Sequence, residues 1–194
     1  MEPAYPPDCW QDVWAPYDES TYRTALAFLK PGQTVLDIGA GDLRFARRAA
    51  QLGCTVYAVE RQREVVERGM AEGPLPSGLA VVVADARVWP FPLRLDAAVL
   101  LMRHCRDYAL YVRKLRAAGC QLLITNARWG MGVEGVPLHR AAPYRPDRPG
   151  WYGCVVCGRT GFVAGPPERL TEEMVASWVN VEGCPGCRGD ESEE

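Results

Sequence analysis

Residues 34–46, TVLDIGAGDLRFA, constrain this chain more than any other stretch. Val35, Leu36, Asp37 and Ile38 read as a buried strand, Gly39-Ala40-Gly41 as a turn, and a helix is expected from about Leu43. A strand that enters a helix through glycines sets backbone N–H groups and a helix N-terminus beside a ligand. Glycine reaches backbone angles that other residues avoid and lets a ligand approach the main chain closely. A dinucleotide turn, GxGxxG, would need a third glycine where Arg44 stands. Asp37 aims a carboxylate at the turn, which gives a pyrophosphate nothing and attracts a cationic ligand.

VLDIGAGDL resembles motif I of the class I S-adenosylmethionine-dependent methyltransferases, (V/I/L)(L/V)(D/E)xGxGxG. The departure is Leu43, which sits where the third glycine is expected. The resemblance implies that Asp37, Gly39, Ala40 and Gly41 contact S-adenosyl-L-methionine. A second strand, 55–59, ends at Glu60, about 20 residues after the glycine turn, where a carboxylate accepts both hydroxyls of a ribose. The surrounding CTVYAVE resembles the second family motif. A third strand, 80–84, leads to Asp85-Ala86, which resembles the adenine-binding step: Asp85 would accept from the exocyclic amine and the Ala86 N–H would meet a ring nitrogen. Trp89 and Phe91 follow closely and either cover the adenine or pack in the core.

The rest of the first 129 residues alternates helix and strand. Ser20 is placed to cap a helix over 21–30, which Pro31-Gly32 ends. Helices are expected over 43–52 and 61–70, a fourth strand over 96–102, a helix to Ala118 and a fifth strand over 121–125. Such alternation predicts an α/β fold, a Rossmann-like doubly wound parallel sheet, and the family order is 3-2-1-4-5. Residues 1–19 are rich in proline and aromatics, with Trp10 and Trp14 spaced to anchor a helix; by the resemblance, the segment could instead be a lid over the cofactor. The main domain is read as 20–129.

Ligands of open α/β sheets meet residues just beyond strand ends, here Arg103, His104 and Cys105 after strand 4. Displacement at a methyl sulfonium needs alignment and a dry site, and a base only when the acceptor carries a proton. His104 is the candidate base; a structural or incidental histidine is its alternative. The family's nucleic-acid amine motif, (D/N)PP(Y/F), is absent after strand 4.

Residues 130–150 show no helical or strand period and read as a Pro/Arg-rich loop. Its His139, Arg140, Tyr144, Arg145 and Arg148 suit RNA contacts, or are the solvated charges of a tether. An RNA or protein partner is therefore expected at 139–160. Two CxxC pairs, Cys154/Cys157 and Cys184/Cys187, have the form of zinc knuckles. Four thiolates make a closed tetrahedral Zn2+ site, and a module as small as 151–188 needs such a staple. This zinc-ribbon-like module either extends the sheet edge or holds substrate. Thr171 is placed to cap a short helix, 177–181 reads as a strand, and 189–194 as an acidic tail.

The chain has 194 residues and a net charge of −2, which argues against a uniformly basic nucleic-acid binder. No apolar run approaches the ~20 residues that span a bilayer, and the first residues lack a signal-peptide pattern. A cytoplasmic location without membrane contact is expected. The expected activity is methyl transfer to an RNA, protein or small-molecule acceptor. The alternative is a non-catalytic scaffold of the same fold, whose zinc module docks a partner.

Overall fold

A computed structural model describes residues 15–128 and 132–188. The proposed Trp10/Trp14 anchor and the acidic tail lie outside these residues. The main sheet contains β1 (Thr34–Ile38), β2 (Thr55–Glu60), β3 (Leu79–Val83), β4 (Ala97–Leu100), β5 (Leu122–Thr125) and β6 (Glu134–Pro137). Its order is β3-β2-β1-β4-β5-β6. The first five strands run parallel, in the expected 3-2-1-4-5 order.

β6 corrects the reading of 130–150 as a loop without strands. It pairs antiparallel with β5, from Leu122 opposite Pro137 to Thr125 opposite Glu134. Its sequence, EGVP, is too short to show a period, and only the neighbouring edge of β5 makes it a strand. A second piece of the same stretch, β7 (Ala142–Pro143), joins the other sheet.

The helices α1 (Glu19–Leu26), α2 (Arg44–Gln51), α3 (Arg63–Ala71) and α4 (Tyr108–Ala117) cover the main sheet. Val35, Val56 and Val99 face one apolar cluster with Ala46, Ala49 and Tyr22. Leu36, Ile38 and Leu123 face the other with Tyr108, Tyr111, Val112 and Leu115. Alternate residues of one strand thus go to opposite faces, and both faces are covered, which is why these strands read as continuous apolar runs. Asp18, not Ser20, caps α1: its Oδ1 accepts from the Thr21 N–H at 2.8 Å and from the Ser20 hydroxyl at 2.6 Å. A carboxylate two positions earlier takes the helix's free N–H, and Ser20 becomes its second donor. The helix also ends before Lys30, at Leu26, and passes into tighter turns, Phe28 N–H to Ala25 O and Leu29 N–H to Leu26 O.

The C-terminal residues build their own sheet from β7, β8 (Gly150–Cys154), β9 (Thr160–Val163) and β10 (Trp178–Glu182), ordered β7-β10-β8-β9. This module does not extend the main sheet, whose far edge is already taken by β6. Thr171 caps α5 (Glu172–Ala176) as expected, accepting from the Met174 N–H at 3.2 Å. The one-turn helix α6 (Pro185–Arg188) carries Cys187.

Candidate functional site

The C-terminal ends of β1 to β4 surround a cavity of about 340 Å³. Asp37, Gly39, Ala40, Glu60, Asp85, Ala86 and His104 all line it. Gly41 does not; its N–H donates to Glu60 Oε2 at 3.0 Å and so ties the turn to the end of β2.

Asp37 is only 3% exposed, and its Oδ2 has no hydrogen-bond partner among the described residues. Burial, and then the nearby Glu60 charge, push this carboxyl up to about 8. A buried carboxyl lining a cavity with one oxygen unpartnered is complementary to a cation. Glu60 is likewise buried, but its oxygens accept from the Gly41 N–H and, at 2.9 Å, from the Gln62 N–H. Each oxygen keeps acceptor capacity for a further donor.

The glycine turn departs from the expectation that its amides face a ligand. The Gly39 and Ala40 N–H groups both donate to the Val59 carbonyl, at 2.9 and 3.1 Å. The β1–β2 ladder has claimed them, so what the turn offers a ligand is close backbone approach. Gly39, at φ +72°, already has the Met102 side chain 3.3 Å from where a Cβ would stand. Leu43 takes a φ of +66°, the left-handed conformation that its glycine counterpart would supply, and buries its side chain completely.

Asp85 differs from a bare adenine acceptor. Arg87 grips both its carboxylate oxygens, with Nε at 3.0 and 2.9 Å and a terminal nitrogen at 2.6 Å. Those hydrogen bonds hold the carboxyl below its usual range. Trp89 and Phe91 pack against the core and do not line the cavity; Tyr111, stacked on Phe91 at 6.5 Å, does, as do Tyr17, Tyr22 and Phe45. His104 is exposed on the cavity wall. Beside it, Arg103 lies over the Tyr17 ring at 4.9 Å, and its N–H reaches the Tyr17 hydroxyl at 3.2 Å.

The sequence reading missed Tyr22, Asp42, Arg44, Arg87 and Tyr111 as wall residues, whereas Tyr17 belongs to the segment read either as packing or as a lid, of which Ala15, Pro16 and Tyr17 line the cavity. Arg87, two positions after Asp85, was the one visible by spacing. Tyr22 arrives from α1, and no local pattern ties it to strand ends far away in the chain.

A second cluster lies in the C-terminal module. The Sγ atoms of Cys154, Cys157, Cys184 and Cys187 all lie within 4.8 Å of one another. Cys154–Cys187 and Cys157–Cys184 are 3.5 Å apart and Cys184–Cys187 3.9 Å. Disulfide sulfurs stand about 2.05 Å apart, so these are free thiols. A tetrahedral ion with thiolates at about 2.3 Å needs sulfur–sulfur edges of about 3.8 Å. The cluster has that size, so these residues could hold a metal ion.

The sequence matches no protein-family profile and no curated protein. Solved structures share its fold. A SAM-dependent methyltransferase from Thiobacillus denitrificans, in complex with S-adenosyl-L-homocysteine, superposes with a TM-score of 0.50 at 16% identity, over 58% of this chain and 50% of that one. The 1,6-didemethyltoxoflavin-N1-methyltransferase of Burkholderia thailandensis gives 0.46 at 23% identity, over 56% and 52%. The chain spans about half the length of the solved structures it matches. The main sheet and its helices therefore have the fold of the class I S-adenosylmethionine-dependent methyltransferases, with a four-cysteine module beside them.

Proposed function

We propose that the chain is an S-adenosylmethionine-dependent methyltransferase. The observation that carries this reading is the meeting of Asp37, Glu60 and Asp85 in one cavity, with Asp37 buried and its Oδ2 unpartnered among the described residues. Asp37 serves the cationic end of the cofactor. Glu60, which keeps one acceptor site on each oxygen, takes the ribose hydroxyls. Asp85 and the Ala86 N–H take the adenine edge once Arg87 shares its carboxylate. The bound sulfonium supplies an already activated methyl group. Gly39, Ala40 and Gly41 let it lie close to the backbone, and Met102 and Tyr17 help exclude water. His104, exposed on the wall at the end of β4, is placed to take a proton from the acceptor.

Calorimetric titration of the purified chain with S-adenosyl-L-methionine tests this. Micromolar binding, weakened at least about tenfold by Asp37→Asn or Glu60→Gln, supports it. A folded chain that does not bind the cofactor leaves the scaffold reading. That second reading draws on the Asp85–Arg87 pair, which already occupies the carboxylate an adenine would use.

In the same proposal the four cysteines hold Zn2+ as a closed structural site, since four thiolates leave no open position for water. Metal analysis finding one zinc per chain checks it. The acceptor is brought by the module face around 139–160. There Trp151 stands opposite Phe162 on one side and Trp178 on the other, a row of aromatics across three strands. Phe162 and Trp178 are 36% and 41% exposed, and the Trp151 and Phe162 rings meet edge-on at 4.8 Å. Such a row suits stacking against RNA bases or protein side chains. With no helix among the described residues long and apolar enough to cross a membrane, a cytoplasmic setting fits this role.

A further inference from the structure

The four-cysteine module grips α4 at both ends. Gly158 follows Cys157, and a Cβ placed on it would stand 2.8 Å from Cδ1 of Tyr108, the first residue of α4. The backbone at Gly158 therefore lies directly on that ring. Its φ of +75° belongs to the turn that closes the first cysteine pair, where its N–H donates to the Cys154 carbonyl at 3.1 Å. Val155, inside the same pair, is fully buried, but in the main-domain cluster with Tyr108, Tyr111 and Ala86 rather than in the module's own core. At the other end of α4, Arg116 pairs with Glu182, just before the second cysteine pair.

The same helix forms one wall of the nucleoside cavity. Cys105 and Asp107 lead into it, and Tyr111 lies one turn along; all three line the cavity, as does Ala86. One apolar cluster thus joins the module's first knuckle to the cavity wall.

We propose that Val155 and Gly158 are positioning residues for the nucleoside cavity, acting through Tyr108 and α4. A metal ion that joins the two cysteine pairs holds them in place. Without it, the first knuckle keeps only its strand contacts, and Val155 and Gly158 lose their fixed seat on α4. Metal occupancy and nucleoside binding are then linked, and the linkage is reciprocal: each strengthens the other by the same factor. The inference rests on the methyltransferase reading for its ligand.

The test uses the full chain, zinc-loaded and after chelation, titrated with S-adenosyl-L-homocysteine. Hydrogen exchange at β1 and β4 reports whether the main sheet stays folded. The expected result is a Kd weakened at least about fivefold on zinc removal, the lower end of ordinary coupling. Saturating S-adenosyl-L-homocysteine should correspondingly slow zinc transfer to a chromophoric chelator. Zinc-loaded Val155→Ala should show weakened binding at unchanged zinc stoichiometry, and Val155→Ile should restore it. If chelation unfolds the whole chain, the Val155 variants decide. Equal affinity in the loaded and the folded, chelated wild type, or in loaded Val155→Ala, overturns this inference alone. A loaded wild type that does not bind S-adenosyl-L-homocysteine overturns the methyltransferase reading and this inference with it.

Discussion

Asp37 carries the largest electrostatic strain in the cavity. Burial, and then Glu60, push its carboxyl from the ordinary 3.8 of an unfolded chain up to about 8 in the folded one. Between those values the folded state holds a proton that the unfolded state has lost. The empty protein is therefore expected to lose stability as pH rises from about 4 to about 8. Asp37→Asn should flatten that slope in urea titrations run across the range. A cation that binds the ionised form must also expel the proton. Titrations at neutral pH in buffers of different ionisation enthalpy should show proton release with the wild type and none with Asp37→Asn. Leu43 poses a different residue-scale problem, because a leucine in the left-handed region is strained by roughly 1–2 kcal/mol. Its burial outweighs that, since removing a buried leucine side chain costs about 2–5 kcal/mol. Glycine usually substitutes worse than alanine. Here Leu43→Gly should be less destabilising than Leu43→Ala by about 1 kcal/mol, because only glycine relieves the backbone. Thermal or urea unfolding of both variants checks the order.

Among the elements, α3 shows how a packing contact reverses a propensity rule. Gly69 lies within this helix, where alanine would normally add about 1 kcal/mol of stability. A Cβ at Gly69, however, would stand 2.1 Å from the Asp42 carbonyl oxygen. The glycine loop and α3 touch backbone to backbone at that point, and Asp42 lines the cavity. Gly69→Ala should destabilise by about 1–3 kcal/mol, the range for overpacking, and should weaken cofactor binding by displacing the loop. A lowered Tm together with a raised Kd is the expected pair of readings; a stabilised variant would show that α3 can move away freely. The β1–turn–α2 unit was legible because its signals are local: apolar run, glycines, helical spacing. β6 was not, because a four-residue strand containing glycine and proline becomes a strand only through the neighbour that pairs with it.

At the scale of the whole molecule, Arg128 is the strut between the two sheets. Its side chain is wholly buried, pairs with Glu134 of β6 at 2.9 and 2.7 Å, and reaches Asn180 of β10 at 2.8 Å. The guanidinium also lies under Gly153, where a Cβ would stand 3.2 Å from its central carbon. Removing one partner of a buried pair leaves the other charge uncompensated, which costs about 3–5 kcal/mol. Glu134→Ala should lose that much in urea unfolding, and replacing both Arg128 and Glu134 with apolar residues should lose less. The sequence alone determined the strand–helix alternation, the acids at three strand ends and the four-cysteine pattern, because each is written in neighbouring residues or in fixed short spacings. Folding in three dimensions sets the rest: those acids share a cavity, Asp37 Oδ2 lacks a partner among the described residues while Asp85 has Arg87, and the module sits on α4. These facts depend on distances between residues far apart in the chain, and burial in the folded interior is what turns those distances into energies.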